Sequence, residues 1–384
     1  VFESSLENLR RNSLLRKIMD RASAQGPRIR IGEREYLNFA SNDYLGLASH
    51  PGVVQAAQEA LARFGAGSGA SRLLAGGCPL HRELEERIAG LKGSEAALLF
   101  GSGYAANTGI LPAITSPGDI ILSDELNHAS IVDGCRLSRA ETIVYRHRDM
   151  EHLEDLLKDS RQRRVFVATD TVFSMDGSLA PLKEMHELLR RYGAALYLDD
   201  AHGTGVLGRG GGALSHFGLS PGQRPEPLTM PWTIQMGTLS KALGSFGAFA
   251  AADGDTIEWL VNNARSFMFS TALPPPAVAA ALAALDVLRE DDGLLDRLWT
   301  NRDRLAAGVK ALGFETGSSE TPIIPLFMKD VGSALGLSER LLEKGIYAPA
   351  IRPPTVREPR IRLTVTAPHA EEDLDGLIEA LRGA

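Results

Sequence analysis

Lys241 stands in Gly237-Thr-Leu-Ser-Lys-Ala-Leu-Gly244 and is the only charged residue between Pro227 and Ala252. An amine in so apolar a setting is desolvated, which lowers its pKa and frees the neutral form to act as a nucleophile or Schiff-base former. A surface lysine that snorkels its ammonium into water would give the same local pattern. Asp199-Asp-Ala-His202 directly follows the apolar run Ala194 to Leu198. Carboxylates at the C-terminal ends of parallel strands face the crevice where ligands bind, and a buried one needs a cation such as a protonated ring nitrogen. A capping or turn aspartate would account for one of these acids but not for the Asp-Asp-x-His set.

Three further segments carry polar groups at turns. Phe100-Gly-Ser102-Gly103-Tyr104-Ala-Ala-Asn107 reads as a strand, a Gly-Ser-Gly turn and a helix start, in a stretch uncharged from Ala96 to Gly118. Backbone N–H groups at such a helix start can hold one phosphate without any lysine. His128, in Asp124-Glu-Leu-Asn-His-Ala-Ser130, and Ser174, in Asp170-Thr-Val-Phe-Ser-Met-Asp176, each follow an apolar run. Singly, each is also ordinary capping or turn chemistry. Gly203-Thr-Gly-Val-Leu-Gly208 spells the dinucleotide fingerprint, but the following Arg209-Gly-Gly-Gly212 is a poor start for the helix that must lie under a pyrophosphate. A nicotinamide enzyme is therefore disfavoured.

The elements that would position these residues are short apolar runs between helical stretches: 96–100, 119–122, 164–168, 194–198 and 247–251. They read as buried strands of a mainly parallel sheet covered by helices, an α/β domain. After Pro274-Pro-Pro276 the pattern changes to one long helix from Ala277 to about Leu312, strands at 321–328 and 360–366, and a helix at 370–381, a smaller α+β domain. The expected division is an N-terminal helix and arm over 1–45, a large domain over 46–273 and a small one over 274–384. Leu6, Leu9, Leu14, Leu15 and Ile18, interleaved with Arg10, Arg11, Arg16, Lys17 and Arg21, predict an amphipathic helix across the first 22 residues rather than a targeting segment.

Composition closes off other classes. The 384 residues carry 41 Lys plus Arg against 48 Asp plus Glu, a net charge of −7, the wrong sign for tracking a nucleic-acid backbone or an anionic membrane. The longest strongly apolar run, Ala277 to Leu285, is too short to span a bilayer. Cys78 and Cys135 form no CxxC pair and no histidine cluster accompanies them, so neither a metal site nor a disulfide framework is expected, and a reducing cytoplasm fits.

A lysine, a strand-end aspartate, a phosphate cup and a histidine together suit pyridoxal 5′-phosphate, whose aldehyde needs an amine and whose ring nitrogen needs a carboxylate. The chain also resembles the α-oxoamine synthases, fold-type I enzymes that use this cofactor. The resemblance runs through 37–46 (Leu-Asn-Phe-Ala-Ser-Asn-Asp-Tyr-Leu-Gly), Gly67-Ser-Gly-Ala-Ser71, 101–107, Asn127-His-Ala-Ser130, 172–177, 199–205, Thr238-Leu-Ser-Lys241 and Ile351-Arg-Pro-Pro-Thr-Val356. The last segment favours the biotin-pathway branch. The resemblance implies that Lys241 bonds the cofactor and moves the Cα proton, and that Asp199 pairs with the ring nitrogen. It also implies that His202 and Ser174 hydrogen-bond the cofactor and that His128 stacks on its ring and contacts substrate. Ser102, Gly103, Tyr104 and Thr238 would bind the phosphate, with Ser270 and Thr271 reaching it from a second subunit of a homodimer. Arg362, on one face of Arg360-Ile-Arg-Leu-Thr-Val-Thr366 with Arg360 and Thr364, would grip the amino-acid carboxylate. Arg16, Asn42 and Thr355 would line the acyl side, and Ser71 would accommodate L-alanine.

The implied activity is decarboxylative condensation of L-alanine with a pimeloyl thioester, on CoA or on an acyl carrier protein. Rival branches are 2-amino-3-ketobutyrate CoA ligase, 5-aminolevulinate synthase and serine palmitoyltransferase. Readings from other classes are a pyridoxal phosphate-binding regulator, which the ~35 residues before Tyr36 leave no room for, and a scaffold with an incidental Lys241. The chain departs from the family in the loop 355–360, which lacks the usual glycine and is about two residues shorter, and in Asp170, where glutamate is common.

Overall fold

The computed structural model describes residues 1–220 and 232–383; positions 227–231 of the uncharged segment before Lys241 lie outside the described residues. Contacts divide the chain into two units. One comprises Val1–Ser49, Ser174–Ser178 and Gly293–Ala384, the other His50–Phe173 and Leu179–Asp292.

The second unit is built on a seven-stranded sheet in the order Ala96–Phe100, Ala248–Ala252, Thr233–Thr238, Ala195–Asp199, Val165–Asp170, Ile120–Asp124, Glu141–Tyr145. Only Ala248–Ala252 runs antiparallel to its neighbours. Buried Ile, Val and Leu on both faces of the central strands are what a helix-covered parallel sheet demands, and every residue of Val165–Asp170 is buried. Ala248–Ala252 has little intrinsic strand preference, yet it lies in the sheet because two flanking strands satisfy its backbone. Its alternate residues Ala248, Ala250 and Ala252 join Leu98, Phe100, Ala106, Ile110 and Phe267 in one core. Helix Gly103–Ile114 packs over that core, and Pro51–Phe64 packs on Pro275–Glu290.

The first unit holds two three-stranded sheets. Arg28–Ile31, Arg34–Asn38 and Ile346–Tyr347 form one; Ile323–Phe327, Arg360–Thr364 and Ala350–Ile351 form the other. Helices Gly293–Ala311, Val331–Glu343 and Glu371–Arg382 supply Leu305, Val309, Leu337, Leu341, Leu374 and Leu377 to a core shared with Phe39, Ile324, Ile361 and Leu363.

Several expectations need correction. The long helix from Ala277 is two helices, Pro275–Glu290 and Gly293–Ala311, because Asp291, Asp292 and Gly293 break the periodic run. The N-terminal helix covers only Glu3–Arg11; Ser13 has a φ of +56°, and the chain leaves the helix before Leu14. The strands Glu141–Tyr145 and Thr233–Thr238 were not expected, the latter because Gln235, Gly237 and two threonines mask its burial.

Candidate active site

In the second unit the parallel register brings two acids together. Asp170 and Asp199 are direct partners on adjacent strands, and both are buried. Burial raises both above the ordinary carboxylate range. For Asp170 the charge of Asp199 adds to the rise and carries it well above. For Asp199 the charge of Lys241, the Asn107 amide, the Ala201 N–H and His128 oppose it. Asp170 is thus held the higher of the two, and Asp199 is the acid that gives up its proton more readily.

Lys241 lies on the loop joining Thr233–Thr238 to Ala248–Ala252, and its charge acts on Asp199, Asp170 and His128 alike. The residue is half-buried and its charge reaches two buried acids, which weighs against a snorkelling surface lysine. The loop is clasped at Gly247. Its carbonyl accepts from Leu239 N (2.9 Å), Thr238 Oγ1 (2.9 Å) and Ser240 Oγ (3.2 Å), and its N–H donates to Ser240 Oγ (3.1 Å). Gly247 has a φ of +119°, and a Cβ there would stand 2.7 Å from Leu273 Cδ1, so the clasp requires glycine.

His128 caps helix Ala129–Leu137 with its ring exposed. Its backbone N donates to Asp170 Oδ2 at 2.6 Å, and Nδ1 lies 2.7 Å from Ser130 Oγ. The protein around the ring lowers its pKa; Lys241 adds to the fall and Asp199 opposes it. His202 is buried in the turn three residues beyond Asp199.

Ser102 caps Gly103–Ile114, its Oγ accepting from Ala105 N at 3.1 Å, so the first N–H groups of that helix form the expected cup. The ring of Tyr104 is exposed and bonds Asp133 through its hydroxyl, so only its backbone faces the helix start. Thr238 is buried with its hydroxyl on Gly247 O. Ser270 and Thr271 share a small cavity with Phe100 and Gly101, beside the cup of their own chain. Ser71 is half-buried in the turn that Leu74 and Gly76 close through its carbonyl.

The first unit gathers another set. Arg362 is buried and pinned on three sides: Nε donates to Ser174 O (2.5 Å), Nη1 to Thr364 Oγ1 (3.1 Å) and Nη2 to Asn42 Oδ1 (3.1 Å). Arg360 takes a different role, paired with Asp176 and stacked over Phe327. Arg16 Nη2 donates to Thr355 Oγ1 at 2.7 Å, which brings together two residues 339 apart in sequence. Arg352 supports that contact by donating to the carbonyls of Ser13 and Leu15.

Sequence reasoning overlooked Lys92. Its fully buried ammonium donates to Asp200 Oδ2 (2.5 Å), Thr204 Oγ1 (3.0 Å) and Gly211 O (3.0 Å). Asp200 also accepts from Thr171 Oγ1 at 2.6 Å. The glycines 203–212 thus wrap an ion pair, and among the described residues they hold only the short helix Gly208–Gly210 and are followed by the short Ala213–His216. Asn107 and Ser130, which the local sequence does not mark out, link Asp199 to His128.

Pyridoxal phosphate fits the second unit's residues. A buried anionic carboxylate calls for a cation such as a protonated ring nitrogen, an uncharged helix start calls for phosphate, and Lys241 supplies the amine. Among the described residues no group of His, Cys, Asp and Glu could hold a metal ion.

The model of the aminotransferase class I and II family matches residues 34–381. An 8-amino-7-oxononanoate synthase of Geotalea daltonii is 49% identical over 99% of this chain and 96% of its own length. A serine palmitoyltransferase from S. paucimobilis, solved with a bound PLP–myriocin aldimine, superposes with a TM-score of 0.91 at 28% identity, covering 100% of this chain and 96% of that one. An 8-amino-7-oxononanoate synthase from Francisella tularensis gives 0.78 at 27% identity, over 91% of this chain and 97% of its own. The backbones are common to the wider family, and it is the near-full-length sequence identity that separates its branches. The chain belongs to the class I and II aminotransferase family and, within it, to the 8-amino-7-oxononanoate synthases, pyridoxal phosphate-dependent acyltransferases of fold type I.

Proposed function

We propose that this protein condenses L-alanine with pimeloyl-CoA, or with pimeloyl on a carrier protein, releasing carbon dioxide and the thiol to give 8-amino-7-oxononanoate for biotin synthesis. The observation that carries the reading is the meeting of the Lys241 charge with Asp199 and His128 at neighbouring strand ends. When bound, pyridoxal phosphate supplies an electron sink for negative charge on the amino acid's Cα.

The chain's own groups do the rest. Asp199 holds its anionic form against the ring nitrogen and keeps that nitrogen protonated. The N–H groups from Ser102 to Tyr104, with Thr238, hold the phosphate, and Ser270 and Thr271 complete it from the second subunit of a homodimer. His202 and Ser174 hydrogen-bond the cofactor, and His128 covers its ring. Lys241 takes the Cα proton of alanine and returns one after carbon dioxide has left. Arg362, already oriented by three acceptors, takes the amino-acid carboxylate. Arg16, Asn42 and Thr355 line the acyl side, and Ser71 leaves room for the methyl of alanine. The division expected from the sequence puts a large domain over 46–273 and a small one over 274–384; a truncation that keeps helix Pro275–Glu290 on Pro51–Phe64 would instead be cut after Asp292.

The test is a matrix of alanine, glycine and serine against pimeloyl, acetyl, succinyl and palmitoyl thioesters, each on CoA and pimeloyl also on carrier protein, read as thiol release. Alanine with pimeloyl should turn over fastest. No turnover with that pair, or faster release with glycine or serine, would sink the assignment.

A further inference from the structure

Asn107 sits at the start of the second turn of helix Gly103–Ile114 and is fully buried. Its Nδ2 donates twice, to Asp199 Oδ2 at 2.8 Å and to Ser130 Oγ at 2.7 Å. Its Oδ1 accepts from Tyr197 O–H at 2.6 Å. The orientation of the amide follows from its neighbours. An ionised Asp199 only accepts, so the NH2 must face it, and burial raises Tyr197 well above its usual pKa, so the phenol keeps a proton to donate to Oδ1.

The remaining protons are then determined. Ser130 Oγ accepts from Asn107, so its one hydrogen is free for His128 Nδ1, 2.7 Å away. The Ser130 backbone N–H points at the same Nδ1 from 3.3 Å. Both contacts make Nδ1 an acceptor and leave the ring proton on Nε2. A protonated Asp199 would allow the Asn107 amide to turn over and the Ser130 hydroxyl to reverse, leaving the Ser130 backbone N–H as the one donor still aimed at Nδ1. Asp199 and Lys241 are the charged groups acting on this histidine; Asp170 only accepts from its backbone N.

We propose that Asn107 is a positioning residue that couples the ionised Asp199, through Ser130, to His128 and thereby holds His128 as the Nε2–H tautomer. The proposal deepens the assigned reaction and rests on it for its catalytic consequence: the group that fixes the cofactor's ring nitrogen also sets which hydrogen-bonding face His128 turns outward. Filling the core with satisfied polar groups would need no such directional chain.

The test uses the full-length chain, with and without added pyridoxal phosphate, labelled in histidine and read by nitrogen NMR, with the His128 signals assigned through His128→Gln. In the wild type the Nε2–H form should dominate. Asn107→Leu and Ser130→Ala should both give a mixed tautomer, and with cofactor bound both should lower kcat roughly ten- to hundredfold, the range for hydrogen bonds to charged groups. Alanine KM should change less. Ser130→Thr, which keeps the hydroxyl, should restore both readouts. An unchanged tautomer in Asn107→Leu and Ser130→Ala, with or without a fall in kcat, would overturn the proposal. The NMR arm decides the matter even if alanine and pimeloyl thioester do not turn over, so a failure of the assigned reaction is seen separately.

Discussion

Replacing Lys92 by methionine tests the buried ion pair beneath the Asp199 turn. The two side chains are 0% and 2% exposed, and the ammonium has all three hydrogens engaged, on Asp200 Oδ2, Thr204 Oγ1 and Gly211 O. Methionine keeps most of the stem but leaves the Asp200 carboxylate without a cation, in a cage where a Cβ on Gly212 would lie 1.9 Å from Asp200 Oδ2 and 2.4 Å from Lys92 Nζ. A water in the space left by Nζ would meet Thr204 and Gly211 O but would bring no positive charge to Asp200. Breaking one partner of such a pair costs about 3–5 kcal/mol. At about 2–4 °C per kcal/mol for a unit of this size, Tm should fall by about 6–20 °C. The double substitution Lys92→Met with Asp200→Asn removes both charges and should recover at least half of the loss, because the cost lies in the uncompensated anion and not in the missing contacts. Scanning calorimetry or circular dichroism on the single and double variants reads both. A fall under 2 °C for Lys92→Met, or a double variant less stable than the single, would refute the reasoning.

Other outcomes follow from the first unit. Burial lowers the pKa of His369 from 6.5 to about 4, against a ring stacked on Phe39 and bonded to Thr366 and Asn38. The unfolded chain takes up this proton near 6.5 and the folded one only near 4. Stability is therefore full above 6.5 and is lost as pH falls from 6.5 to 4, by about 3 kcal/mol at about 1.4 kcal/mol per pKa unit. Denaturant titrations at several pH values should show this loss in the wild type and not in His369→Gln. Arg362→Lys keeps the charge but gives up the planar fork that meets Ser174 O, Thr364 Oγ1 and Asn42 Oδ1. It should raise the KM for alanine roughly tenfold or more at little change in the KM for the thioester, measured by initial rates.

Local composition made Lys241 and the strand-end acids legible, since an uncharged stretch around one amine and a carboxylate after an apolar run are visible in a few residues. The phosphate cup was legible for the same reason. The ion pair was not: Lys92 and Asp200 are 108 residues apart, and a lysine just before Gly93 reads as the usual cation at a helix C-terminus. Asn107 reaches Asp199 across 92 residues, a distance that only the packing of helix on sheet removes. The contact of Arg16 with Thr355 was foreseen only as a shared role implied by resemblance, while the helix meant to carry Arg16 ends at Arg11. Among the strands, Thr233–Thr238 is masked by Gln235, Gly237 and its two threonines, and its burial is decided by neighbours that the local pattern does not contain.

The clasp at Gly247 bears on the entropy of the proton transfer proposed for Lys241. With both ends of the loop tied to one carbonyl, the Cα of Lys241 is held before any substrate arrives, and only the side-chain torsions have to settle. Ordering a lysine side chain costs at most about 2 kcal/mol, whereas fixing a free backbone would add about 1–2 kcal/mol for every residue. The loop therefore settles in advance most of what would otherwise be an ordering cost of each turnover, and raises the effective concentration of the amine at the carbon it serves.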